Sequence, residues 1–194
     1  MLEWRTGGVR CRVSLLFPAM LTALLLTQPD GQAVTCVIAS AMHECGHLLA
    51  MLLLNCRPEC CTLGAFGMRI EAGRTHLSGY GRQIAVSLAG PAVNGLAGAA
   101  LWLLGQRTAA AVHWLLGGFN LLPAAALDGG QILRCLLCAA GRETAADRVL
   151  AVLSAAVLLP VAAAAWYLLL AGRGNVTLLI VSLYLTLLVF FHPA

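Results

Sequence analysis

The sequence predicts an all-α polytopic membrane protein with about six transmembrane helices and a short β-hairpin between the second and third. Three observations carry that expectation. Apolar residues make up 60% of the 194 and charged residues only 10%, against about 25% charged in soluble domains. The mean hydropathy of +0.87 would leave a soluble fold with too much uncovered apolar surface. Several apolar runs are also long enough to cross a bilayer, which takes about 20 residues as a helix. One membrane-embedded domain over residues 1–194 is expected, because no polar stretch is long enough for a second.

The elements follow in order. Arg5, Arg10 and Arg12 precede a first short span, Val13 to Thr27, with Pro18 tolerated in its first turns. That run resembles a signal h-region, but no A-x-A-like site follows it, so it is read as a span. Gln28-Pro29-Asp30-Gly31 is a turn. Ala33 to Leu54 is the second span. Asn55 to Arg82 is the longest polar stretch, and Leu63 to Glu71 within it ends in apolar/polar alternation. With a turn at Ala72-Gly73-Arg74, that alternation predicts the hairpin. Gln83 to Leu104 is the third span, and its Gly90, Gly95 and Gly98 let a neighbouring helix come close. The fourth starts near Ala109 and is broken by Asn120-Leu121-Leu122-Pro123 and Leu127-Asp128-Gly129-Gly130. Broken backbone at membrane depth is tolerated only where protein buries it or it lines a cavity. Val149 to Ala171 and Val176 to Phe191 complete the set, with no acidic, basic or histidine side chain in either.

Charge placement sets the expected orientation. All 12 basic residues are arginine, and 10 of them fall in alternate segments once the N-terminus is placed inside. By the positive-inside rule both termini are then cytoplasmic. The net charge of +4 is therefore a topology signal and not a nucleic-acid signal. The eight cysteines add little. Cys135 and Cys138 form a C-x-x-C, but no matching pair or nearby histidine completes a second metal or redox site.

The second span carries His43-Glu44-Cys45-Gly46-His47. On a helix His43 and His47 share one face, four positions apart, where two imidazoles can hold one metal ion. Glu44 lies on the same turn, within reach of a water on that metal, as in the H-E-x-x-H pattern of zinc hydrolases. The competing reading is a buried polar cluster that only ties helices together. Ionisable groups in a bilayer favour the functional reading, since they are costly unless paired or bound. A catalytic zinc takes three protein ligands and keeps one open position. Only Glu44 and Asp128 among the acidic residues fall within spans, and Glu44 is committed to base chemistry. Asp128 is thus assigned as third ligand, against the alternative of a turn residue in a D-G-G loop. His113 ranks behind it, and His76 and His192 lie in a loop and at the terminus.

These residues resemble the site-2 protease family of intramembrane zinc metalloproteases. The resemblance rests on His43-Glu44-x-x-His47 in the second span, Gly90-Pro91-x-x-Asn94 after it, and Asn120-Leu-Leu-Pro leading to Asp128-Gly-Gly. It covers nearly the whole chain. It implies one zinc ion on His43, His47 and Asp128, with Glu44 activating water. It further implies that Asn120 and Asn94 help hold the substrate, a membrane-anchored protein cut in or near its membrane segment. The hairpin's edge would pair with that unwound segment. No PDZ-like or CBS-like segment appears, so the chain is similar to the minimal core. Its size and its Phe66-Gly67-Met68-Arg69-Ile70-Glu71 stretch resemble the branch that includes the sporulation protease acting on a pro-sigma factor. The location implied is a bacterial cell membrane, with a regulatory membrane protein or a second copy as further partners. Two other classes compete with this reading. A metal transporter would spread its ligands along a path and show an inverted repeat. A catalytically inactive interaction protein would not need intact His43, Glu44, His47 and Asp128.

Overall fold

The computed structural model describes residues 2–6, 9–13, 31–56, 58–64, 67–72 and 79–171. The chain divides into two compact units, Met1–Gly118 and Phe119–Ala194. The first holds strands β1 (Leu2–Thr6), β2 (Val9–Val13), β3 (Pro58–Gly64) and β4 (Gly67–Ala72). It also holds helices α1 (Gln32–Leu53) and α2 (Tyr80–Leu103), and nearly all of α3 (Arg107–Asn120). The second holds α4 (Asp128–Ala139) and α5 (Glu143–Leu170).

Among the described residues, α1, α2 and α5 are long and apolar enough to cross a membrane. Each bares leucines that water would penalise, among them Leu53, Leu96 and Leu159, as expected of helices facing lipid. The chain is read accordingly as an integral membrane protein. The fourth expected span differs. Helix α3 has 14 residues, about 21 Å at 1.5 Å per residue, too short to cross alone. The expected spans at 13–27 and 176–191 lie outside the described residues, except for Val13, which ends β2.

Small and polar residues on these helices turn inward as narrow stripes. On α1 the buried set includes Ala39, His43, Gly46, His47 and Met51; on α2 it includes Val86, Gly90, Asn94 and Gly98. The spacing of three to four keeps each set on one face. Glycines bring the two faces into backbone contact. A Cβ on Gly46 would lie 2.7 Å from the Ala89 carbonyl oxygen and 2.9 Å from Val93 Cγ2, so only glycine fits. At the α2–α3 contact, a Cβ on Gly98 would strike the Trp114 indole. Trp114 Nε1–H donates to the Gly95 carbonyl at 3.3 Å, and its ring lies 5.5 Å from that of Trp102.

The strands form one sheet in the order β1-β2-β3-β4. β1 with β2 and β3 with β4 are antiparallel, while β2 and β3 run parallel, with Cys11 opposite Cys61. The strands preceding α1 were not foreseen in the sequence. The expected turn at Ala72–Arg74 is also displaced: Gly64 pairs with Gly67, so β3 and β4 connect through residues 65–66.

In the second unit, Ala146, Leu150, Ser154 and Leu158 make a fully buried stripe at a spacing of four along α5. Leu158 packs with Ala124 and Leu127, which belong to the segment entering α4.

Candidate metal centre

Helix α1 places His43 and His47 one turn apart, both buried at 5% and 8% exposure. Their rings meet edge to face, with centroids 4.8 Å apart. Partners outside the helix fix them. His47 Nδ1–H donates to the Val86 carbonyl at 2.8 Å, which leaves its Nε2 bare and turned toward His43. His43 Nδ1 lies 3.1 Å from Asn94 Nδ2, and Asn94 Oδ1 lies 3.1 Å from His113 Nδ1 on α3. Asn94 is wholly buried and His113 nearly so.

Three features fit a shared metal. The two Nε2 atoms are 3.2 Å apart, and ligands on a tetrahedral zinc at about 2.0–2.1 Å sit roughly 3.3 Å from one another. The bond from His47 Nδ1–H to a backbone carbonyl is of the kind that orients metal-binding histidines. The space beside both Nε2 atoms is kept open by Gly90: a Cβ there would overlap His47 and lie 2.8 Å from His43 Nε2.

The other expected site residues are placed as follows. Glu44, beside His43 on α1, is half-buried. Asn120 ends α3 and is half-buried. Asp128 opens α4, where a carboxylate is favoured by the helix's positive end. Its two glycine neighbours are a packing necessity. A Cβ on Gly129 would strike the Leu121 carbonyl and lie 2.6 Å from that of Leu122; one on Gly130 would strike the Ala124 carbonyl. The segment 121–125 therefore folds directly over the first turn of α4. Ser154 secures it from α5, its Oγ accepting the Ala125 N–H at 2.8 Å. Ser154 carries no expected role in the sequence, and His113, expected behind Asp128 as a ligand, instead bonds Asn94. The signal for Ser154 was its hydroxyl in an otherwise apolar span.

No family model and no curated protein matches the chain by sequence. Its structure is similar to that of the site-2 protease from Methanocaldococcus jannaschii, with a TM-score of 0.72 at 20% identity, covering 100% of this chain and 95% of that one. The chain thus shares the fold of that site-2 protease.

Proposed function

We propose that the chain is an intramembrane zinc metalloendopeptidase that hydrolyses a peptide bond in or near a membrane segment of a substrate protein. The observation that carries the proposal is the pair of Nε2 atoms from one H-E-x-x-H helix, 3.2 Å apart beside a space that Gly90 keeps open. Asp128 is taken as the third ligand beside His43 and His47, as the sequence resemblance implies. Two imidazoles and one carboxylate are a donor set that suits zinc and leaves a position for catalysis. A zinc ion, when bound, supplies Lewis-acid polarisation of a carbonyl and a lowered pKa for water.

The chain's own residues do the rest. Glu44, on the turn of His43 and part-exposed, takes the proton of the attacking water and returns it to the leaving amine. Asn120 holds the substrate chain near the reacting carbonyl, and Asn94 steadies the centre. A helical substrate must unwind first, because its carbonyls are already bonded. Strand β4 is an edge of the sheet, and an unwound segment added along it satisfies backbone groups on both sides. The placement of the arginines supports cytoplasmic termini.

The test is Glu44→Gln, purified and co-expressed with single-span membrane proteins beside the wild type. The expected result is about one zinc per chain with cleavage abolished, since the amide cannot carry the proton. Cleavage at the wild-type rate in this variant would refute the mechanism.

A further inference from the structure

The polar atoms of the centre form a line of four hydrogen bonds that all point one way. His113 Nδ1–H donates to Asn94 Oδ1 at 3.1 Å, and Asn94 Nδ2–H donates to His43 Nδ1 at 3.1 Å. His43 must then carry its proton on Nε2, which donates to His47 Nε2 at 3.2 Å. His47 in turn donates from Nδ1 to the Val86 carbonyl at 2.8 Å. Each member is buried and each uses its donor toward the next. In this state the line is self-satisfied, and His43 Nε2 is protonated and cannot ligate.

A metal on His43 Nε2 needs that nitrogen bare, so the ring proton moves to Nδ1. Asn94 then has to present oxygen to His43 in place of its NH2. An amide turned by half a circle keeps its heavy atoms nearly in place and exchanges donor for acceptor. Its NH2 now faces His113 Nδ1, which must be bare, so the proton of His113 moves to Nε2. The three changes leave the number of protons unchanged, because both rings stay neutral throughout.

We infer that His113 is a positioning residue for the metal centre: through the Asn94 amide, its tautomer sets which nitrogen of His43 carries the proton, and so whether His43 can bind metal. The inference rests on the proposed metal site at His43 and His47. His113 itself ligates nothing in this scheme. Its ring, on α3, is a switchable end that donates a hydrogen bond to the Asn94 amide in one state and accepts one from it in the other.

The experiment uses the full chain in detergent micelles with 15N-labelled histidine, before and after loading with Zn2+ alone, with zinc content measured on the same sample. The His113 resonance is assigned from the spectrum of His113→Gln. The expected result is that His113 carries its proton on Nδ1 without zinc and on Nε2 with zinc, while His43 moves in the opposite sense. Asn94→Asp, nearly the same size, uncouples the two rings. A carboxylate accepts from both Nδ1–H groups at once, so His113 keeps its Nδ1 proton whether zinc is present or not. Asn94→Ala removes the link and weakens zinc binding about ten- to a hundredfold, the usual effect of losing a partner behind a ligand. Zinc uptake by the wild type with no change in the His113 tautomer overturns the relay alone. A wild type that takes up no zinc overturns the metal site and the relay with it.

Discussion

Gly90→Ala tests whether the space beside the two histidines is a metal cradle or merely a close helix contact. The added methyl carbon would lie 2.8 Å from His43 Nε2 and 2.6 Å from His47 Cε1, where non-bonded atoms settle at about 3.5–4.0 Å. Something must yield by roughly 1 Å. The His47 ring is held by its 2.8 Å bond to the Val86 carbonyl, and α2 can retreat only by opening its close contact with Gly46 at Ala89. Overpacking of this kind costs about 1–3 kcal/mol, and if it falls on the metal-bound state the zinc Kd rises about 5- to 150-fold. Competition with a chelator, on the full chain in detergent, measures it. Gly95→Ala is the control, since nothing lies within 4 Å of a Cβ at that position. Zinc binding as tight in Gly90→Ala as in Gly95→Ala and the wild type would refute the cradle.

Three further outcomes are expected. Asp128→Asn should weaken zinc binding and abolish cleavage, because a neutral amide is a poor zinc ligand, while His113→Ala should cost less; chelator competition that reverses this order would unseat Asp128 as third ligand. Ser154→Ala removes the acceptor for the Ala125 N–H, which should cost about 1 kcal/mol and lower the melting temperature in detergent by roughly 2–4 °C. An unchanged melting curve would show that the segment needs no such anchor. Proline in the edge strand, as Arg69→Pro or Glu71→Pro, removes a backbone donor and should sharply reduce cleavage with zinc still bound. Normal cleavage by both variants would make the strand pair a connector only.

What could be read from the sequence was what depends on composition and local spacing. The helix of His43 and His47 announces itself through an apolar run and an i, i+4 pair, and Asp128 stands out as a carboxylate beside a proline and two glycines. The β1–β2 pair has a local signal as well: Val9-Arg10-Cys11-Arg12-Val13 alternates strictly, a strand pattern that coincides with the arginines that mark topology. Gly73 marks a break as strongly as Gly64 and Gly67 do, so glycine placement alone does not fix the hairpin turn, which the Gly64–Gly67 pairing puts between β3 and β4. The pairing of Asn94 with His43 and His113 had no local signature. It depends on how α2 meets α1 at Gly46 and α3 at Gly98, and on a backbone carbonyl at Val86 that no sequence pattern marks. Side-chain partners set by interhelical contact are settled by tertiary packing, which single-chain periodicity does not encode.

The two indoles at the α2–α3 contact give the protein a built-in optical gauge. Trp102 and Trp114 lie 5.5 Å apart with their planes inclined by 35°, close enough for their electronic transitions to mix. Two chromophores so inclined should produce a paired positive and negative band in ultraviolet circular dichroism, which a lone indole would not. Trp114 follows His113 in the chain, and its Nε1–H donates to the carbonyl of Gly95, the residue after Asn94. Any change in how α3 sits on α2 must therefore alter the angle between the rings. Trp114→Phe would erase the band pair and identify its source, leaving in the wild type a label-free reading of the contact that holds His113 against Asn94.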